Sequence, residues 1–550
     1  MAVQDGGWHA VETAFMRPGD SYAFRLADGT EIPDPASHAQ KHDLEGPSLI
    51  VDHAGYAWTR TDWTSRPWEE AVIYELHVGA FTPEGTFRAA INRLPHLRDI
   101  GITAIEIMPV AHFPGERGWG YDGVLHYAPH NAYGTPDDLK SLIDAAHGHG
   151  LMVLLDVVYN HFGPAGNILP RIAPAFFHCE RQTPWGTAPA FNQDVVRRYF
   201  IENALHWIED YHFDGLRFDA TDQIVDGNER HILIEMAETI RQAVPDRHIH
   251  LIVEDQWRRT SLLNRDGGGV HHYTAGWNDD FHHALHIIAT GEKQGHYAYF
   301  ADNPHEVLRE STARGFLNAA DRGKDRVGPA PQDRLPLQIN VHYLQNHDQI
   351  GNRAFGERLS TIADAALLDV MTALLVLAPP IPMLFMGEEY GEVRPFLFFT
   401  DFTGELARAT RQGRRDEAEK FGGMPKGKAV KDLPDPNDAG ALRKSKLDWS
   451  RATSPSGRRQ TRLLRDLIRL RQAHIIPLLK GCGVAEPYFP PAAPGILAVD
   501  WRFAGATLAI RANLTKESKP WPAVTGETIF ALSGGPTGPS ITVAVDREQR

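Results

Sequence analysis

From about residue 70, short β-branched or apolar runs alternate with longer stretches of helical periodicity. The predicted strands are AVIYELHV (71–78), AIEIMPV (104–110), LMVLLDVVYN (151–160), GLRFDA (215–220) and HLIVEDQ (250–256). A weaker AGWNDDF (275–281), then LQINVHYLQNH (337–347) and IPMLFMGEE (381–389), complete the set. Between them lie amphipathic helices. TPDDLKSLIDAAHGHG (135–150) carries Thr135 as N-cap, Pro136 at the first helical position, acids in the first turn and Gly150 at its close. NQDVVRRYFIENALHWIEDYH (192–212) and TIADAALLDVMTALLVLA (361–378) predict helices equally clearly. Eight nearly continuous apolar strands alternating with helices read as parallel strands buried on both faces. A (β/α)8 TIM barrel is the economical solution. A doubly wound sheet needs a glycine-rich turn between its first strand and helix, and GGG at 267–269 follows no strand and opens no helix.

One apolar stretch, 366–385, approaches the length that crosses a bilayer. Asp369 lies inside it and Pro379, Pro380 and Pro382 break it, so it predicts a buried helix followed by a buried strand. The flanks differ in character. Residues 1–65 predict short strands and turns, with ETAFMRPGDSYAFRLADG as a hairpin, and 481–550 predict a small β-sheet domain. The barrel domain is expected over 66–480, with a charged, turn-rich excursion across 401–450 after the eighth strand.

Composition narrows the chemistry. The net charge of -14 disfavours nucleic-acid and anionic-membrane surfaces as partners. Two cysteines, Cys179 and Cys482, give no disulfide framework or cysteine metal site. The first twenty residues lack the basic region and apolar core of a secretory leader, so a cytoplasmic location is expected.

Candidate chemistry gathers at the C-terminal ends of the strands, where a barrel of this kind carries its active site. Asp156, Asn160 and His161 end the third strand, Arg217 and Asp219 the fourth, Glu254 the fifth, and His347 and Asp348 the seventh. Alone, Arg217 and Asp219 could be a buried structural ion pair, which stabilises poorly for its desolvation. Several acids from separate segments at one rim favour catalysis. A pair of carboxylates, one protonated and one ionised, is what glycosidic cleavage requires. Arg217 on the same strand face would keep Asp219 ionised as nucleophile. Glu254, with no cation beside it in sequence, suits the acid/base role. Asp348 is a third acid, suited to sugar hydroxyls.

DVVYNH (156–161), GLRFDA (215–220), IVED (252–255) and QNHDQ (345–349) resemble, in order, the four short motifs of the α-amylase superfamily, glycoside hydrolase family thirteen. The resemblance implies Asp219 as nucleophile, Glu254 as general acid/base and Asp348 as transition-state stabiliser, with retention through a covalent intermediate. It makes Arg217, His161 and His347 binding partners of the sugar at the cleavage site, and Tyr121 the aromatic that stacks on it. Longer stretches, IYELHVGAFTPEGTF (73–87), PVAHFPGERGWGYDGV (109–124), LQNHDQIGNRAFGERL (344–359) and MGEEYGEVRPFLFFTDF (386–402), look like the maltooligosyltrehalose trehalohydrolase family. That family cuts the α-1,4 bond next to a terminal trehalose. Branching enzymes share YELHVG and MGEE, whereas QIGNR after Asp348 favours the trehalohydrolases. The family's N-terminal sandwich, which resembles a carbohydrate-binding module, is complete. With only some 65 residues before the barrel, the sandwich is expected to lack its first strands, whether by trimming, a misplaced start codon or a naturally reduced sheet. The pathway partner implied is maltooligosyltrehalose synthase, and a monomer is expected.

Other features yield simpler expectations. HHALH (282–286) has zinc-ligand spacing, but surface or loop positions are expected, with His283 bordering the sugar groove. There is no acid-rich EF-hand loop, and neither metal nor other cofactor is expected. Trp119, Trp185 and Trp277 in rim loops could stack on sugar rings; core packing is expected for most of them, and Trp277, among Asn278, Asp279 and Asp280, is retained as a candidate binding residue.

Overall fold

The protein is described as a computed structural model covering residues 1–3, 9–266, 269–317, 335–421, 424, 427–480, 484–533 and 538–547. Eight parallel strands close into a barrel in chain order: β1 (Ile73–Leu76), β2 (Ala104–Ile107), β3 (Met152–Val157), β4 (Gly215–Phe218), β5 (His250–Val253), β6 (Ala275–Trp277), β7 (Asn340–Tyr343) and β8 (Ile381–Phe385). Each falls inside a predicted apolar run. Side-chain alternation divides every strand between two environments. Leu216 and Phe218 of β4 face outward into the layer of helices, where they join the main hydrophobic core. Ile73, Ala104, Leu154, Ile252 and Ala275 belong instead to a separate apolar cluster. The alternation places that cluster inside the barrel as a plug.

Two residues further along each of these strands the same inward direction recurs, nearer the C-terminal rim. Ile73 is followed by Glu75, Ala104 by Glu106, Leu154 by Asp156, Ile252 by Glu254 and Ala275 by Trp277. The period of two thus lifts a ring of charged and aromatic groups directly above the apolar plug.

Helix α1 (Pro136–Gly148) has the expected start: Thr135 and Asp138 exchange bonds in a capping box. Helices α2 (Asp194–Glu209), α3 (Ile232–Ala243) and α4 (Asp279–Thr290) follow β3, β4 and β6. Helix α5 (Ala365–Leu377) and β8 account for the apolar stretch at 366–385, and no helix among the described residues is long and apolar enough to cross a membrane. Buried Arg471 donates to the carbonyls of Val376, Ala378, Pro379 and Pro380, at 3.0, 2.6, 3.3 and 2.9 Å, closing the C-terminal end of α5. Arg471→Met would leave those acceptors without donors. It is expected to lower stability by about 3 kcal/mol in urea unfolding.

The C-terminal sheet comprises β9 (Glu486–Tyr488), β10 (Ile496–Phe503), β11 (Ala506–Asn513), β12 (Glu527–Ser533) and β13 (Ser540–Arg547), antiparallel in the order β9-β10-β11-β13-β12. Two expectations need correction. The N-terminal hairpin turns later than predicted: Phe24–Arg25 pairs with Glu31–Ile32, while Ser21–Tyr22 pairs with Ser48–Leu49. Asp28 and Gly29 form the tight turn, because glycine accepts the φ of +85° there. The excursion is not merely turn-rich, since Gly404–Phe421 is a helix, α6. Its Arg414 donates to the Gly351 carbonyl at 3.0 Å, fastening the helix to the loop beyond β7. Cys482 and the first two glycines of GGG lie outside the described residues.

Candidate active site

Arg217 is the centre of the rim. It is fully buried, with its guanidinium 4.1 Å over the face of Trp277. Nη1 donates to both oxygens of Asp156 (2.9 and 2.8 Å) and to Asp219 Oδ1 (2.9 Å). Nη2 donates to Glu254 Oε2 at 2.7 Å. One planar cation therefore carries three carboxylates and orients two of them from different nitrogens.

Asp219 and Glu254 are each the first residue beyond their strands. Asn160 Nδ2 donates to Asp219 Oδ2 and to its backbone carbonyl, both at 2.9 Å, so this carboxylate has two donors fixing its orientation. The backbone N–H of Ala220 donates to Glu254 Oε2 at 3.0 Å. Ala220 itself has φ +40°, a left-handed conformation that stores strain beside the two acids. Burial pushes the Glu254 carboxyl well above its ordinary range; Arg217 opposes this, and the charges of Asp219 and Asp348 reinforce it. Glu254 is thus biased toward its protonated form beside an acid held by two donors. Two carboxyl groups in such unlike environments are an arrangement able to serve glycosidic cleavage.

Asp348 enters from the short helix His347–Gly351 after β7 and is the most exposed of the three acids, at 40 % for its side chain. Its neighbour His347 is gripped by Glu75, which bonds Nδ1 and accepts the backbone N–H at 3.1 Å. Burial alone would lower the His347 pKa, but Asp348 and Glu75 more than reverse that and hold it up at about 9. The raised pKa stabilises the fold fully below the unfolded value near 6.5, and the contribution is lost as pH rises through about 9. Glu75→Gln is expected to lower the imidazole pKa by at least about one unit, read from ring-proton shifts in an NMR titration. An unmoved midpoint would assign the shift to Asp348 alone.

The structure brings the remaining sequence candidates to the same rim. Tyr121 donates its hydroxyl to Asp156 at 2.6 Å, and its ring stacks on His347 with centroids 5.0 Å apart. His161 bonds Asn160 through Nδ1 and the Tyr121 carbonyl through Nε2 at 3.0 Å. Trp277 supports Arg217. Glu254, Trp277 and Asp348 line a cleft of about 450 Å³, shared with Asp279, His283 and Tyr299. His282, His283 and His286 are not surface groups, however. All three are buried on α4, at 1 %, 9 % and 2 % exposure, and His283 borders the cleft as anticipated. His282 bonds the Leu344 carbonyl through Nδ1 and Tyr297 through Nε2, and His286 bonds Glu292 through Nε2.

Sequence reasoning passed over Glu75 and Glu106. Both sit in apolar runs, and the available signal was parity: they share the inward face of β1 and β2 and lie opposite one another in the sheet register. Burial, then the charges of Glu75 and Asp156, hold Glu106 well above the ordinary carboxylate range.

The chain is similar to known proteins over most of its length. Residues 25–169 match the family described as alpha amylase, catalytic domain, and 490–545 match a domain of unknown function, DUF3459. The malto-oligosyltrehalose trehalohydrolase of Deinococcus radiodurans is 42% identical over 476 residues, spanning 86% of this chain and 77% of that protein. A 1.4 Å crystal structure named "Putative alpha Amylase from Salmonella typhimurium" superposes with a TM-score of 0.93 at 50% identity, covering 100% of this chain and 94% of that one. A 1,4-alpha-glucan branching enzyme from Pseudoalteromonas atlantica is 30% identical over 246 residues, only 40% of this chain and 34% of that enzyme.

Proposed function

Since the chain belongs to the malto-oligosyltrehalose trehalohydrolases of the α-amylase superfamily, we propose that it hydrolyses the α-1,4 bond next to the trehalose end of maltooligosyltrehalose. Trehalose and a maltooligosaccharide are released. The observation that carries the mechanism is the sharing of Arg217 between an Asp219 fixed by two donors and a protonated Glu254. Glu254 gives its proton to the glycosidic oxygen as Asp219 attacks the anomeric carbon, and the bond to the trehalose unit breaks. A covalent glycosyl ester on Asp219 results. Glu254, now ionised, takes a proton from water, whose oxygen attacks the same carbon and frees Asp219. Asp348 accepts hydrogen bonds from hydroxyls of the distorted sugar, and Tyr121 offers a ring face to it, with His161, His347 and Trp277 completing its surroundings. The substrate would come from maltooligosyltrehalose synthase, and the enzyme would work as a cytoplasmic monomer.

The test compares products from maltotriosyltrehalose and maltopentaose. Trehalose and maltotriose from the first, with near silence on the second, support the reading. Comparable cleavage of both would reduce it to a general α-glucan hydrolase. Longer or branched products would make the chain a transferase, which uses the same three acids but keeps water from the intermediate.

A further inference from the structure

Three imidazoles meet where the N-terminal segment lies against the barrel. His38 and His53 come from that segment and His206 from α2. Their ring centroids are 4.4 Å (His38–His206), 5.0 Å (His38–His53) and 5.0 Å (His53–His206) apart. One nitrogen from each ring lies within 4.8 Å of the other two, and no other group of three or more histidine, cysteine or acidic side chains among the described residues meets that spacing. His38 Nδ1 and His53 Nε2 stand 2.9 Å apart. Around a tetrahedral zinc ion with bonds of about 2.0–2.1 Å, ligand nitrogens stand about 3.4 Å apart and imidazole centres about 5 Å apart. Small ring rotations therefore suffice to bring the three nitrogens onto one ion.

We propose that His38, His53 and His206 form a binding site for a zinc-class divalent cation that ties the N-terminal segment to α2. The surroundings support it in two ways. Asp210 Oδ2 lies 2.7 Å from His206 Nδ1, the outer carboxylate that commonly orients a metal-binding histidine. Coordination through Nε2 keeps that bond and replaces the 3.1 Å contact of Nε2 with the Tyr127 carbonyl. His53 Nδ1 is a buried nitrogen without a hydrogen-bond partner. Lys140 opposes a cation, and the 2.9 Å contact between His38 and His53 would have to open for one. The lysine ammonium is directed to the His53 carbonyl at 2.9 Å, and the charge of Asp210 offsets it.

The experiment titrates Zn²⁺ alone into the chelator-stripped full chain by calorimetry, with Co²⁺ absorption reporting the coordination. One ion per chain at micromolar or tighter affinity, tetrahedral Co²⁺ bands and a higher Tm are expected. His53→Ala and His38→Ala should each abolish that site while leaving hydrolysis intact, which shows that the variants fold. Asp210→Asn should weaken it about 10–100-fold. With 28 histidines in the chain, weak adventitious binding is the natural background. Binding that the two histidine substitutions leave unchanged, or none at micromolar Zn²⁺, would overturn the proposal and leave a packed imidazole cluster.

Discussion

Asp219→Asn is expected to lower hydrolysis of maltooligosyltrehalose by at least about 10⁴-fold with little change in stability. The amide is nearly isosteric, and its oxygen can still accept from Arg217 Nη1, which lies 2.9 Å from Oδ1, while the Asn160 amide must turn because its Nδ2 would face the new NH2 group. What it lacks is the nucleophilic oxygen and the negative charge that stabilises a developing oxocarbenium centre. Loss of that charge also removes one of the influences holding the Glu254 proton, so Glu254 should titrate lower in the variant. Single-turnover assays with unfolding curves separate the two effects. A loss below about tenfold would mean that another group attacks the sugar.

Arg217→Met is expected to remove activity and about 3–5 kcal/mol of stability at pH 8. The side chain is fully buried and serves Asp156, Asp219 and Glu254. Its loss leaves acids facing one another without a counter-charge, and they can escape only by taking up protons. Burial already holds Asp156 at about 7 despite the opposing Arg217, so without the cation its proton uptake would extend to higher pH. The destabilisation should therefore be smaller at pH 5, where protonation is easier, than at pH 8. Urea unfolding at both values checks this. A loss under about 1 kcal/mol at pH 8 would show that the guanidinium is not the support of the site.

The parts legible in sequence are those whose signals are local. Continuous apolar runs revealed eight strands because a strand buried on both faces has no polar side to hide. Arg217 and Asp219 stood out as charges two apart in such a run. Glu75 did not, because its partner His347 lies 272 residues away and the pair exists only once the barrel closes. The burial of His282 and His286 escaped notice for a related reason: Tyr297 and Glu292, which take their ring nitrogens, lie in the segment beyond α4. Helix α6 was obscured by its charges and by Gly413, since a surface helix is fixed by amphipathic packing more than by composition. His38 and His53 sit in turns with no periodicity, so only the folded chain shows that they face His206.

The central claim is that Asp219 attacks while Glu254 delivers the proton, which requires two inversions at the anomeric carbon. The most direct measurement is proton NMR of the maltooligosaccharide released in the first minutes of hydrolysis, before mutarotation. The account predicts the α-anomer. Initial release of the β-anomer would contradict it, because water would then have attacked directly and Asp219 could not be the nucleophile.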